Sequence, residues 1–203
     1  FYESHIFPPV MEWATRGFRR QIADLIGQAE GRVLEIGAGT GANLGFYQPG
    51  VSEIVGIEPV EAMLEKAREV ARSASHRVPI TLTTGDARAL PFADADFDTV
   101  VACLVFCTIP EPEKAAREAF RVLRPGGRLV FFEHVVSPHQ TTRAWQNRLN
   151  PLWRKMACGC EINRDTRALF EAAGFVYDEI EDFIHPKVPA LVAPVIAGMA
   201  YKP

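Results

Sequence analysis

Short apolar runs alternate with stretches of helical periodicity along most of the chain, which is typical of β-α-β units and a parallel sheet. The predicted strands lie at residues 32–36, 53–57, 80–84, 97–103, 128–134, 175–180 and 192–201. The run at 97–103 is apolar through its middle, as expected for a strand buried on both faces. The pattern therefore predicts an α/β fold whose last two strands form a hairpin.

Helical periodicity predicts α-helices before and between the strands. N-terminal helices are expected within 8–29, and a further helix at 111–123 leads into the turn 124–127. Five residues share one face of the helix after the second strand: Met63, Leu64, Ala67, Val70 and Ala71. Asn163 or Asp165 is expected to cap a later helix that ends before Gly174.

Residues 137–163 contain no predicted strand, and their apolar residues fall near one helical face: Trp145, Leu149, Leu152, Trp153 and Met156. We interpret this stretch as a helical insertion and residues 1–29 as an N-terminal helical cover. Both belong to a single domain that spans residues 1–203.

Composition narrows the functional classes. A formal net charge of −3 gives no general attraction to nucleic acid, so we predict no nucleic-acid partner. No apolar run reaches the roughly 18 residues of a membrane span, which predicts a cytoplasmic protein without an integral membrane segment. Peripheral membrane contact is compatible with the sequence, and the oligomeric state is left open. The four cysteines are expected to be reduced thiols, and Cys158-Gly159-Cys160 lacks metal-ligand spacing, so no metal site is predicted.

The chemistry of an open α/β sheet lies beyond the carboxyl ends of its strands. The first strand leads into Glu35-Ile36-Gly37-Ala38-Gly39-Thr40-Gly41, whose glycines permit a sharp turn and close approach of a ligand. With Ala42 this loop also fits the dinucleotide pattern, so S-adenosylmethionine (SAM) and NAD both remain candidates at this point.

The following strand ends carry polar groups suited to a nucleoside. Glu58 can accept hydrogen bonds from ribose hydroxyls, and Asp86 can accept one from an adenine amino group. After the fourth strand, Leu104 and Val105 are candidates to wall a cofactor, whereas Cys107 has the usual character of a small buried thiol.

Taken in order, these segments resemble the class I SAM-dependent methyltransferases. The resemblance spans roughly residues 30–135 and includes the glycine loop, Glu58, Gly85-Asp86-Ala87, Leu90-Pro91-Phe92, Phe97-Asp98 and Arg124-Pro125-Gly126-Gly127. Further segments resemble the branch that includes the mammalian thiol S-methyltransferases: Gly41-Ala42-Asn43, Phe46–Gly50, Leu104–Cys107, Phe132–Val135 and Gly159–Arg164. Bacterial relatives of that branch are often described as quinone- or phospholipid-methyltransferase-like.

The resemblance implies a Rossmann-like seven-stranded, mostly parallel sheet of order 3-2-1-4-5-7-6, with helices on both faces and the insertion as a lid. It implies SAM as methyl donor, which becomes S-adenosylhomocysteine. The implied cofactor-binding residues are Glu35, Gly37, Ala38, Gly39, Gly41, Asn43, Glu58, Pro59, Asp86, Ala87, Cys103 and Leu104.

The function that follows is methyl transfer to a small lipophilic acceptor, with a thiol as the leading candidate. The alternatives are a quinone C-methyltransferase, a phospholipid N-methyltransferase, a nicotinamide oxidoreductase and a SAM-binding regulatory protein without activity. A free thiol has a pKa of about 8.5, so His134 is the candidate base or positive group that favours the thiolate. The candidate acceptor pocket comprises Phe7, Cys107, Trp145, Trp153 and Arg164.

Overall fold

The computed structural model describes residues 16–73, 78–184 and 188–203. Its seven strands are β1 (Gly31–Ile36), β2 (Val51–Glu58), β3 (Ile80–Thr84), β4 (Phe97–Cys103), β5 (Leu123–His134), β6 (Val176–Ile184) and β7 (Pro194–Tyr201). They form one sheet of order β3-β2-β1-β4-β5-β7-β6. The first five strands pair in parallel, and β7 runs antiparallel between β5 and β6. The predicted strand order and the antiparallel hairpin are confirmed.

Helices cover both faces of this sheet. Among the described residues they are α1 (Arg19–Ile26), α2 (Glu61–Ser73), α3 (Pro112–Val122), α4 (Gln140–Met156) and α5 (Thr166–Ala173), with 3-10 turns at Arg16–Phe18 and Leu44–Phe46. Alternate residues of β1 point to opposite faces, so Leu34 joins the core beneath α3 and α5 while Val33 joins the core beneath α1. No helix in the described ranges is both long and apolar enough to cross a membrane.

The turn predicted at residues 124–127 lies inside a strand. Leu123 already pairs with Phe97, and pairing resumes at Arg128 with Thr99, so the four residues between form a bulge within β5. Gly126, with a φ of +76°, supplies the left-handed conformation that this bulge needs. The strand therefore begins at Leu123, five residues before the start that the apolar run predicts at residue 128.

The apolar faces of two helices are only partly buried. On α2, Leu64 and Ala67 are buried, but Val70 is 37% exposed. On α4, the apolar side chains that share a helical face are largely exposed: Trp145 (53%), Leu152 (60%) and Met156 (55%). The buried residue of α4 is Gln146, whose side chain accepts from Ser137 N and donates to Leu191 O. A polar side chain with satisfied hydrogen bonds, not the apolar stripe, thus anchors this helix.

Helix α5 begins and ends where the sequence indicates. Of the two candidate caps, Asp165 is the N-cap, and its carboxylate accepts a hydrogen bond from Ala168 N at 3.1 Å. Gly174 ends the helix with a φ of +106°. Of the predicted N-terminal helices, the portion before residue 16 lies outside the described residues.

Candidate cofactor and acceptor site

The glycine loop follows β1 at the carboxyl edge of the sheet. Gly37, Gly39 and Gly41 all have positive φ, at +73°, +54° and +80°. A Cβ atom at Gly37 would lie 2.4 Å from Val105 Cγ2, so this loop closely contacts the segment after β4. A Cβ atom at Gly39 would meet nothing closer than 3.6 Å. The loop is therefore packed tightly at Gly37 and leaves room beside Gly39 for a ligand to approach the backbone.

A buried acid anchors the chain that follows this loop. Glu35 is 1% exposed. Its carboxylate accepts from Asn43 Nδ2 at 2.8 Å and from the Tyr47 hydroxyl at 3.0 Å. Burial raises the pKa of Glu35 to about 7. Burial also raises the pKa of the neighbouring Cys103 thiol. Glu35 thus holds residues 43–47 against the end of β1.

A second buried acid joins β2 to the glycine loop. Glu58 accepts hydrogen bonds from Gly39 N and from Val60 N, each at 3.1 Å. It is 6% exposed, and its burial raises the pKa of the carboxyl group. Pro59, the next residue, is exposed. The carboxylate therefore lies directly beside the loop that the sequence singled out for cofactor binding.

The acid after β3 has a different environment. The Asp86 side chain is 47% exposed and pairs with Arg88, with a closest distance of 2.6 Å. The Arg88 guanidinium holds the pKa of Asp86 below its usual value. Ala87 beside it is buried. The end of β3 thus presents an ionised acceptor next to an apolar residue.

The segment after β4 is held by a buried acid on β5. Glu133 is fully buried, and its Oε1 accepts from Val105 N at 3.0 Å and Phe106 N at 3.1 Å. Burial raises the pKa of Glu133 to about 7. Leu104, at a φ of +53°, donates its N–H to Phe132 O at 2.7 Å. The sequence reasoning missed Glu133, although a lone acid within the apolar run of β5 was a usable signal.

Three side chains that are distant in sequence meet beyond the ends of β4 and β5. The Sγ atoms of Cys107 and Cys160 and a ring nitrogen of His134 all lie within 4.8 Å of one another. We call these three residues the thiol–imidazole cluster. A hydrogen bond from the Cys107 thiol lowers the pKa of the Cys160 thiol, and the nearby His134 ring lowers it further. The same hydrogen bond raises the pKa of Cys107.

Arg164 fixes the backbone around this cluster. One of its guanidinium nitrogens donates to Ile109 O at 2.6 Å and also to Phe106 O. Glu161 N donates to Cys107 O at 2.8 Å, which ties the segment after α4 to the segment after β4. The Arg164 side chain is 10% exposed. The structure thus places Arg164 against the backbone carbonyls that flank Cys107.

Of the other predicted pocket residues, one lies near the thiol–imidazole cluster and one does not. Trp153 lies beside Cys160, and its indole nitrogen is buried. Trp145 lies on the exposed side of α4. Phe7 lies outside the described residues. Sequence reasoning named Cys107 and His134 separately, but no spacing rule indicated that Cys160 joins them.

Comparison with known proteins identifies the family of this chain. Residues 34–131 match the methyltransferase domain family. The chain is 36% identical over 197 residues to the thiol S-methyltransferase TMT1B of Rattus norvegicus, covering 95% of this chain and 80% of the relative. It is 34% identical over 174 residues to TMT1A of Homo sapiens, covering 84% of this chain and 70% of the relative.

A solved structure shows the same fold. The crystal structure of the YcgJ protein from Bacillus subtilis superposes with a TM-score of 0.72 at 21% identity, over 92% of this chain and 97% of that one. SAM is the methyl donor of the enzymes that share this domain. The chain belongs to the SAM-dependent methyltransferases, in the family that includes the thiol S-methyltransferases TMT1A and TMT1B.

Proposed function

We propose that this methyltransferase acts on a small-molecule thiol and that the acceptor sulfur lies at the thiol–imidazole cluster. The observation that carries the proposal is the position of this cluster. It lies at the same carboxyl edge of the sheet as the glycine loop, and the contact between Gly37 and Val105 joins the two regions. The TMT1A and TMT1B relatives, which are named for thiol methylation, support the same acceptor class.

We assign the cofactor to the ends of β1 to β4. SAM carries its methyl group on a positively charged sulfur, which makes that carbon electrophilic. The residues proposed to hold it are Glu35, Gly37, Ala38, Gly39, Gly41, Asn43, Glu58, Pro59, Asp86, Ala87, Cys103 and Leu104. The room beside Gly39 and the carboxylate of Glu58 next to it fit a ribose at this point.

The roles within this set follow from the contacts. Glu58 and Asp86 present carboxylate oxygens, which suit ribose hydroxyls and an adenine amino group. Glu35 is 1% exposed and accepts hydrogen bonds from Asn43 and Tyr47, so its proposed role is to position these two residues. Leu104 and Cys103 close the wall at the end of β4.

The acceptor side uses few polar groups. His134 is the proposed catalytic residue, because it ends β5 and is buried within reach of both thiols. Its task is to favour the anionic form of the acceptor, since only a small fraction of a free thiol is ionised at neutral pH. Trp153 and Cys107 are the proposed pocket walls beside it, and α4 is the proposed lid.

An acceptor panel tests the proposal. The protein is incubated with methyl-labelled SAM and an alkyl thiol, an aryl thiol, a quinol or phosphatidylethanolamine, and labelled products are separated. We expect labelled thioethers from the thiols. Methylation of the quinol or the lipid, with none of either thiol, would contradict the thiol assignment and leave the SAM assignment intact.

A further inference from the structure

The thiol–imidazole cluster has the composition and spacing of a metal site. Two cysteine sulfurs and one imidazole nitrogen lie within 4.8 Å of one another. Zinc bound by two sulfurs and one nitrogen, at about 2.3 and 2.0 Å, places these atoms roughly 3.5 to 4 Å apart. Modest side-chain rotation therefore brings the three atoms to ligand distance.

The burial of His134 supports the same site. The residue is 6% exposed, and the Cys160 thiol is a polar partner of its ring. An unsatisfied polar group is costly away from water, so buried polar groups need partners. A cation coordinated by the ring nitrogen and the two sulfurs satisfies all three groups.

We infer that Cys107, His134 and Cys160 bind a zinc ion whose fourth position takes the acceptor sulfur. This inference rests on the proposed function and specifies how the site favours a thiolate. A set of two cysteines and one histidine leaves a tetrahedral position open, as catalytic zinc sites do. Thiolate ligands also select zinc over hard cations such as magnesium.

The backbone around the cluster is pre-organised for metal binding. Each ligand comes from a different segment: the loop after β4, the end of β5 and the loop after α4. Glu133 holds the first loop through Val105 N and Phe106 N, and Arg164 holds its carbonyls. Because the three segments are fixed independently of any ion, little ordering is needed on metal binding.

Charge balance favours the same assignment. Two thiolates and a neutral imidazole cancel the charge of Zn²⁺, so the buried complex is neutral. Binding the acceptor as a thiolate adds one negative charge, which the positive sulfonium of SAM compensates. A neutral assembly avoids the cost of an uncompensated charge away from water.

The proposed reaction is balanced in atoms and electrons. On binding, the acceptor S–H bond breaks, its electron pair stays on sulfur and binds the ion, and the proton passes to solvent. A sulfur lone pair then forms the bond to the methyl carbon. The bond between that carbon and the SAM sulfur breaks, and its electron pair stays with S-adenosylhomocysteine. His134 in this scheme is a ligand instead of a free base.

Metal binding by the full chain tests the inference without measuring activity. Protein freed of metal with a chelator is titrated with Zn²⁺ by calorimetry, and the bound metal is counted by elemental analysis. We expect one zinc per chain in the wild type. Cys160→Ser, Cys107→Ser and His134→Ala should each weaken zinc binding by at least about 100-fold through loss of a ligand. Cys158→Ser, two positions from Cys160, is the matched control and should bind as the wild type does.

Cobalt reports the ligands directly. Co²⁺ replaces zinc in such sites and gives a sulfur-to-metal absorption band, which we expect in the wild type and in reduced amplitude in Cys160→Ser. Adding an alkyl thiol should shift this spectrum, because the sulfur occupies the fourth position. Circular dichroism of each variant shows whether it remains folded, and Cys160→Ser, at a partly exposed residue, is the least disruptive of the three.

The outcomes separate this inference from the proposed function. Zinc binding that the Cys160→Ser variant retains in full would overturn the inference, as would thiol methylation at full rate by the metal-free protein in the presence of chelator. The second result would leave thiol methylation itself established. Stoichiometric zinc held by the three residues, with no thiol methylated, would keep the metal site and contradict the proposed function.

Discussion

Glu35 is a carboxylic acid held away from water at the end of β1. Its oxygens accept from Asn43 and Tyr47, yet burial dominates and raises its pKa to about 7. The native state therefore holds a proton on Glu35 in a pH range where the unfolded chain has already released it.

The stability of the protein should reflect this proton. Between the unfolded pKa of 4.5 and the folded value of about 7, the native state binds more protons, so the free energy of unfolding falls as pH rises. Replacing Glu35→Gln removes this contribution. Relative to the variant, the wild type should lose on the order of 3 kcal/mol of stability across that interval, with little change above it.

Urea unfolding at pH 5 and pH 8 measures the effect. Glu133 also makes the free energy of unfolding fall as pH rises, in the wild type and the variant alike. The contribution of Glu35 is therefore measured as the difference in unfolding free energy between the two proteins at each pH. Glu69→Gln, at an exposed position on α2, is the control and should leave the pH dependence unchanged. An equal difference between wild type and Glu35→Gln at both pH values would refute the account of this residue.

Among the elements, the contact between the loop after β1 and the segment after β4 links the cofactor side to the acceptor side. Gly37 lies so close to Val105 that a Cβ atom would be 2.4 Å from its Cγ2. Gly126 in the β5 bulge has nearly the same φ, +76° against +73°, but open space around it. Substituting Gly126 therefore tests the cost of the left-handed backbone alone, whereas substituting Gly37 adds the cost of a steric clash with Val105.

Alanine substitution at these glycines should give different results. Gly126→Ala should cost about 1 kcal/mol of unfolding free energy from the left-handed conformation alone. Gly37→Ala should cost about 1–3 kcal/mol more, because Val105 must move. It should also weaken SAM binding, whereas Gly126→Ala should not. Urea unfolding and calorimetric titration with SAM measure both, and equal losses at the two positions would contradict the packing argument.

The elements differ in how far sequence could predict them. Strands β3 and β4 have the predicted bounds. β3 lies between Pro79 and Gly85, and β4 begins directly after Asp96, so local sequence signals mark these ends. Helix α4 was predicted, but its buried residue was not, since Gln146 is buried through hydrogen bonds to partners that only the fold supplies. The sequence predicts a turn at the position of the β5 bulge, because Pro and Gly are common in both turns and bulges.

For the molecule as a whole, the seven-stranded sheet and the glycine loop followed from sequence, because their signals are local or ordered along the chain. The thiol–imidazole cluster did not. Cys107, His134 and Cys160 are separated by 27 and 26 positions, and only the parallel pairing of β4 with β5 and the return of the chain after α4 bring them together. Spacing rules for metal ligands detect residues that are close in sequence, so they do not detect this cluster.

The central claim is that methyl transfer occurs to a thiol at this cluster. The most direct test compares kcat/KM for benzenethiol and for phenol, which differ only in the acceptor atom, with methyl-labelled SAM. The account predicts labelled methyl phenyl sulfide and no labelled anisole. With an alkyl thiol, which is mostly protonated at neutral pH, the account predicts that His134→Ala lowers kcat/KM at least about 100-fold at unchanged SAM affinity, while the exposed His139→Ala behaves as wild type. Methylation of phenol at a comparable rate, or full activity of His134→Ala, would contradict it.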